Sequence, residues 1–157
     1  MADLRKAAVE REIRIAARPE LVFQYFVDPE RMARWMGPAA VLDARPGGQF
    51  QIAVASTHRA SGQFVEVDPP RRVVFTWGWE APEHGCAPGS TRIEVDLIPD
   101  GDETILRLRH LGLAAEAVEE HSHGWAHYLG RLAVVAAGGD PGPDPMADGQ
   151  MSGQTAS

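Results

Sequence analysis

The sequence has little cysteine and no long hydrophobic run. Cys86 is the only cysteine among 157 residues, which excludes a disulfide within the chain and a metal site built from several cysteines. The longest apolar runs are as short as residues 132–137, and the first ten residues mix polar and apolar side chains. We therefore predict neither a membrane span nor a secretion signal, and we expect a protein of the reducing cytoplasm.

Basic charge is scarce as well. The chain has 15 Lys and Arg against 22 Asp and Glu, a net charge of −7, and its arginines are scattered among carboxylates. Neutralisation of phosphates supplies much of the affinity of nucleic-acid binders, which usually carry a basic stripe. We interpret the arginines as a solvated surface and predict no nucleic-acid partner and no membrane partner.

What the sequence does have is enough apolar content for one folded domain. Hydrophobic residues make up 44% of the chain, and a chain of this length buries roughly two thirds of its unfolded surface. Residues 9–16 alternate between apolar and charged, which predicts a strand. Pro19 then opens a helix, and Asp28 is the N-cap of a second, short helix that ends at Gly37.

The middle of the chain has the pattern of strands separated by turn residues. We predict six strands, several of them with alternating apolar residues, at residues 41–44, 49–55, 62–68, 72–79, 91–98 and 104–110. Consecutive strands joined by short turns form an antiparallel meander. Such a sheet needs a cover for one of its faces.

A long amphipathic helix over residues 114–137 supplies that cover. Its apolar stripe consists of Val118, Trp125, Leu129, Leu132 and Ala136, with His121 at the edge. Gly138 and Gly139 end the helix. The fold class is therefore α+β, with residues 1–8 as an N-terminal extension, residues 9–137 as the folded domain, and residues 138–157 as a disordered tail.

Several sequence words within residues 9–137 carry a family resemblance. They include Arg45-Pro46-Gly47-Gly48-Gln49-Phe50, Gly62-Gln63-Phe64-Val65-Glu66-Val67-Asp68-Pro69-Pro70, Phe75-Thr76-Trp77, Ser90-Thr91-Arg92-Ile93 and Gly124-Trp125. With the order of elements, they resemble the helix-grip fold of the START and polyketide-cyclase (SRPBCC) superfamily. Within it the chain is similar to the family of homologues of the activator of the heat-shock protein 90 ATPase, in its C-terminal-domain-like members.

The resemblance implies a curved antiparallel sheet wrapped around the long C-terminal helix, with two short helices after the first strand. Small stand-alone relatives resemble single-domain proteins with an internal cavity between sheet and helix. The co-chaperone itself resembles a two-domain protein, whereas this chain starts directly at the first strand, so we do not expect a chaperone partner. The sequence leaves a homodimer open.

Strand and helix phases turn a set of large side chains toward the expected cavity. They are Phe23, Phe26, Trp35, Phe50, Phe75, Trp77, Trp79, Leu108 and Trp125. Such rings either form flat walls for an apolar or aromatic ligand or simply fill the core.

Two histidines and one threonine are the candidate polar groups of the cavity. His110 shares the inward phase of Leu108, and His121 borders the stripe of Trp125. Each imidazole is either a polar handle that orients a ligand and acts as acid or base, or a neutral buried ring bonded within the core. We hypothesise that His110, His121 and Thr91 provide specificity.

Two further groups of residues are weaker candidates for a functional site. His123 and His127 have the spacing of a metal-binding pair on a helix, with Glu120 nearby, but their phase points outward. His84-Gly85-Cys86 is interpreted as a loop segment with an ordinary cysteine. We predict neither a metal nor a cofactor.

The preferred function is binding of an apolar or aromatic small molecule between the sheet and the C-terminal helix. One alternative is a polyketide cyclase-like or hydratase-like enzyme, which would need His110 or His121 as its acid or base. The other is a co-chaperone that stimulates a heat-shock protein 90 ATPase.

Overall fold

A computed structural model describes residues 9–37, 39–55, 58–80 and 86–142. The predicted extension 1–8 and residues 143–157 of the predicted tail lie outside the described residues. The elements in chain order are β1 (Val9–Ile15), α1 (Pro19–Val27), α2 (Pro29–Met32), β2 (Ala39–Leu42), β3 (Gln49–Ala55), β4 (His58–Asp68), β5 (Arg72–Trp77), β6 (Thr91–Asp100), β7 (Glu103–Leu111) and α3 (Ala115–Ala136).

The seven strands form one curved antiparallel sheet in the order β1-β7-β6-β5-β4-β3-β2. The six strands β2 to β7 form the predicted meander, and its last strand, β7, also pairs with β1, the first strand of the chain. The long helix and the two short helices after β1 complete the α+β helix-grip fold that the sequence predicted.

Several strand ends differ from the prediction. β2 covers residues 39–42 rather than 41–44, and β6 continues to Asp100 rather than ending at Ile98. β4 begins at His58 rather than at Gly62, so Gly62 lies inside the strand. A side chain at this position would collide with the Thr76 backbone carbonyl, and the glycine therefore marks a close approach of two strands rather than a strand end. β5 ends at Trp77 rather than at Trp79. Trp79 instead forms an isolated bridge with Ala60.

Two helix boundaries follow the predicted signals, whereas α2 ends at Met32 and not at Gly37, because residues 33–36 form turns. Asp28 accepts a hydrogen bond from the Glu30 backbone N–H at 3.0 Å and so caps α2. At the end of α3, Gly138 has φ +94°. The backbone N–H groups of Gly138 and Gly139 donate to the carbonyls of Val135 and Val134, which is a Schellman ending.

The core lies between the concave face of the sheet and α3. The α3 backbone runs closest to β1 and α1. Its buried face contains the predicted Trp125, Leu129, Leu132 and Ala136, and also Ala117 and Tyr128. Val118, predicted on the same stripe, is half-buried and packs against the core. Among the described residues, no helix combines the length and the apolar composition needed to cross a membrane.

Candidate functional site

The candidate site is built where the inner faces of β5, β6 and β7 meet α3. Strand register places Trp77 of β5 opposite Thr91 of β6, and Ile93 of β6 opposite His110 of β7. From α3, Trp125 meets Trp77 with ring centres 5.6 Å apart. Residues separated by almost fifty positions in the chain are therefore neighbours in the interior.

His110 is at the centre of this group and is fully buried. Its Nδ1 accepts the indole N–H of Trp125 at 3.0 Å, and its Nε2 lies 2.8 Å from the Thr91 hydroxyl. The Thr91 hydroxyl in turn donates to the backbone carbonyl of Trp77 at 2.7 Å. Because Nδ1 is an acceptor, the proton of the neutral ring is assigned to Nε2, which donates to Thr91.

Burial keeps His110 neutral. It lowers the pKa of the imidazole well below its usual 6.5, and the neighbouring His121 lowers the pKa further. The two rings have centroids 5.2 Å apart and are nearly perpendicular. His110 therefore acts as a neutral junction between β6, β7 and α3.

His121 uses both of its nitrogens as well. Nδ1 lies 2.8 Å from the Ala117 carbonyl one helical turn earlier, and Nε2 accepts the indole N–H of Trp79 at 3.0 Å. The neutral ring therefore carries its proton on Nδ1, the opposite tautomer to His110. Of the sequence-predicted polar groups, Thr91, His110 and His121 are all buried, and each already has protein partners.

Trp77 is the ring that joins the aromatic side chains of this region. It is 3% exposed. Its centroid lies 5.3 Å from that of Trp79 and 6.0 Å from that of Phe50. Its Nε1 is buried, and no atom of the described residues accepts a hydrogen bond from it. We call Trp77, Trp79, Trp125, His110 and His121 the indole–imidazole cluster.

The remaining predicted lining residues form two further groups. Phe50 stacks on Phe75 with centroids 4.2 Å apart, and Leu108 is fully buried on the same face of the sheet. Phe26 and Trp35 form an edge-to-face pair at 5.3 Å near α1 and α2, where Phe23 is also buried. Trp79 is the half-buried member of the predicted set, and the other members are buried.

Three buried rings were not among the predicted lining residues, and one of them is Tyr25 of α1. Phe64 lies 5.6 Å from Phe50, and Tyr128 is buried on α3. The signal at Phe64 was ambiguous because Val65 and Val67 favour the other face of the strand, and a register shift between Phe64 and Glu66 changes the phase there. Tyr128 lies three positions after Trp125, a spacing that helix periodicity offers for one face.

The histidine pair on α3 and Cys86 lie in different surroundings from the cluster. His123 is exposed and His127 half-buried on α3. Within the described parts of the chain, no group of three metal-ligating side chains occurs. His84 and Gly85 lie outside the described residues, while Cys86 is buried with its Sγ 3.9 Å from the Thr91 hydroxyl.

The outer face of the sheet carries several of the arginines. Arg107 pairs with Glu12 across β7 and β1, with nitrogen and oxygen 2.8 Å apart. Glu94 is surrounded by Arg72, Arg92 and Arg109 at 3.7, 2.9 and 3.7 Å. Strand register thus brings several of the scattered arginines into ion pairs between neighbouring strands, while Arg92 and Glu94 pair within β6.

Comparisons with known proteins place this architecture in a family. A family model described as activator of Hsp90 ATPase homolog 1-like protein matches residues 16–137. A solution structure of an AHSA1-like protein from Rhizobium etli is 46% identical and has a TM-score of 0.69, with 88% of this chain and 87% of that chain covered. Among curated proteins, none matches the chain significantly.

Two further solved structures are similar. CalU16 from Micromonospora echinospora is 27% identical with a TM-score of 0.68, covering 95% of this chain and 82% of that chain. DynU16, a protein of the dynemicin biosynthetic locus, has a TM-score of 0.73 at 21% identity, with 87% of this chain covered. The chain spans about half of DynU16, 49% of its length, and the similarity concerns the fold. From the family match and the Rhizobium structure, the chain belongs to the family of activator of Hsp90 ATPase homolog 1-like proteins, within the helix-grip superfamily.

Proposed function

We propose that the protein binds an apolar or aromatic small molecule between the inner face of the sheet and α3. The observation that carries the proposal is the indole–imidazole cluster, in which rings from β5, β7 and α3 meet in the interior. The α3 backbone lies closest to β1 and α1. On the side of β5 and β6, large side chains rather than backbone contacts span the distance between helix and sheet.

Binding would be driven by removal of apolar ligand surface from water, at about 25 cal/mol per Å². Indole and phenyl faces offer flat contact surfaces with little conformational entropy to lose. Trp79 is half-buried while Trp77 and Trp125 are buried. We therefore propose that a ligand enters on the side of Trp79 and rests against the two buried indoles.

An enzymatic function has less support from the same geometry. A general acid or base must have a nitrogen that can reach the substrate. Both nitrogens of His110 and both nitrogens of His121 lie within hydrogen-bonding distance of protein atoms. Burial also lowers the pKa of His110, so near neutral pH the ring is not the protonated imidazolium that a general acid requires.

Chaperone activation and dimerisation stay outside the proposal. An HSP90 activator from Plasmodium falciparum and the Aha1 dimer from Colwellia psychrerythraea are 22% and 17% identical to this chain, so they are similar in fold alone. The expectations of a cytoplasmic location and of no nucleic-acid partner stay predictions.

The experiment is a titration with the neutral fluorescent probe phenylnaphthylamine. We expect saturable one-to-one binding with a dissociation constant on the order of micromolar. Trp79→Ala should weaken it about tenfold, because the variant removes a ring from the proposed entrance. Val134→Ala, on an exposed part of α3, is the matched control and should bind like the wild type. Non-saturable binding, or equal binding by Trp79→Ala, would contradict the proposal.

A further inference from the structure

One indole of the cluster differs from the other tryptophans of the chain. The chain has four tryptophans, and three of their indole N–H groups donate to protein acceptors at 3.0 Å: Trp35 to the Tyr25 carbonyl, Trp79 to His121 Nε2, and Trp125 to His110 Nδ1. The fourth, Trp77 Nε1, is buried without an acceptor among the described residues. A buried donor without an acceptor is costly, so such a group points to a partner from outside the protein.

The neighbouring acceptors are already engaged. His110 Nδ1 accepts from Trp125, and His121 Nε2 accepts from Trp79. The Thr91 hydroxyl is bound between His110 and the backbone carbonyl of Trp77 itself. An acceptor for Trp77 Nε1 from this group would have to leave its present donor, which would merely move the unpaired donor to another residue.

The surroundings also restrict the charge of a partner. The polar residues that are buried as a whole are Thr91, Thr104, His110 and His121 among the described residues. The only charged side chain of the described residues with a buried unpaired atom is Arg11, whose Nη2 donates to the Ser122 carbonyl of α3. His110 is held neutral by burial. A charged ligand group would lose its hydration here without gaining an opposite charge, so the environment favours an uncharged acceptor.

We propose that the Trp77 indole N–H recognises a neutral carbonyl-type oxygen on a planar, otherwise apolar ligand. The inference rests on the proposed binding function and specifies the ligand class for that site. Trp79, Trp125 and Phe50 surround the Trp77 ring at centroid distances of 5.3, 5.6 and 6.0 Å and contact the apolar skeleton. Trp77 is thus the specificity residue, and the imidazoles fix the rings around it.

The test compares two probes with the same skeleton, fluorenone and fluorene, which differ by one carbonyl oxygen. We expect calorimetry to show about fivefold to tenfold tighter binding of fluorenone, the usual range for one neutral hydrogen bond. In heteronuclear NMR, the indole N–H signal of Trp77, assigned with Trp77→Phe, should move downfield with fluorenone and not with fluorene.

Two variants separate the hydrogen bond from packing. Replacement of Trp77 by benzothienylalanine, in which sulfur takes the place of the indole N–H, keeps the shape and should abolish the preference for fluorenone. Trp79→Phe removes an indole donor that His121 already accepts from, so this variant should keep the preference. Equal affinities of the wild type for both probes would overturn the carbonyl proposal while leaving binding intact, and no binding of either probe would overturn both proposals.

Discussion

The two faces of the sheet use the same strands but satisfy their polar groups in opposite ways. On the outer face, long charged side chains of β1, β5, β6 and β7 pair with each other, as at Arg107 with Glu12 and at Arg72 with Asp96. On the inner face, His110, Thr91 and Trp125 form directional hydrogen bonds between neutral groups. The outer side chains can exchange a lost partner for water, whereas the inner ones cannot.

The contrast between the two faces predicts which single substitutions lower the free energy of unfolding. An exposed ion pair contributes little, because solvent screens the attraction and the side chains lose entropy when they pair. A buried hydrogen-bonded group contributes mainly through the cost of leaving its partner unpaired. We therefore expect stability effects to fall in order from the inner junction to the rim of the outer face.

The largest effect is expected at the inner junction. His110→Leu replaces the imidazole by an apolar side chain of similar size and leaves the Trp125 indole N–H without its acceptor. The free energy of unfolding should fall by about 3 kcal/mol, measured by urea denaturation. His123→Leu, on the exposed side of α3, is the control and should stay within about 0.5 kcal/mol of the wild type. A loss below about 1 kcal/mol at His110 would show that the junction is not stabilising.

The second effect is a dependence of stability on pH. The pKa of His110 is lowered in the folded state, so below its unfolded pKa near 6.5 the unfolded chain binds the extra proton. The stability that the neutral ring contributes is fully present above pH 6.5 and is lost as the pH falls toward the folded pKa, and the loss at pH 5.5 is on the order of 1 kcal/mol. Urea denaturation at several pH values measures it. In His110→Gln the difference between neutral pH and pH 5.5 should shrink by this amount, and an unchanged pH dependence would contradict the assignment.

A smaller effect is expected at the centre of the outer face. The Glu94 side chain is 16% exposed and lies near three arginines. Glu94→Gln should lower the free energy of unfolding by about 1 kcal/mol at low salt, and by less at about 1 M NaCl, where the charges are screened. Equal losses at both salt concentrations would mean that packing rather than charge explains the effect.

The smallest effect is expected at the rim of the outer face. Arg107 and Glu12 are each 59% exposed. A double-mutant cycle with Arg107→Ala and Glu12→Ala should give a coupling energy of about 0.3 kcal/mol. A coupling above about 1 kcal/mol would remove the contrast between the two faces.

Local patterns were sufficient to predict the order of strands and helices and most of the inward residues, although Phe64 and Tyr128 were missed. Alternation and turn residues predicted the meander, and helix periodicity placed His121 and Trp125 on the buried face of α3. The end of β5 was missed because Trp79 continues the alternation past Gly78, although its backbone only bridges Ala60.

The hydrogen-bond partners of the site could not be predicted, because they depend on strand register. Register places Trp77 opposite Thr91 and brings His110 under Trp125, and local sequence does not encode these pairings. The same holds for the outer face, where Arg109 pairs with Glu10 ninety-nine residues away in the chain. The unpartnered Trp77 N–H follows from three-dimensional accounting of donors and acceptors, which requires the folded structure.

The placement of α3 has a consequence for altering selectivity. Since the helix backbone approaches β1 and α1 most closely, its separation from the opposite half of the sheet is set by the size of the rings in between. Exchanging Phe50 or Phe75 for a smaller side chain changes the width available beside Trp77. Strand pairing and the two imidazole tautomers stay as they are, so the protein offers a frame in which molecular size and acceptor chemistry can be selected at different positions.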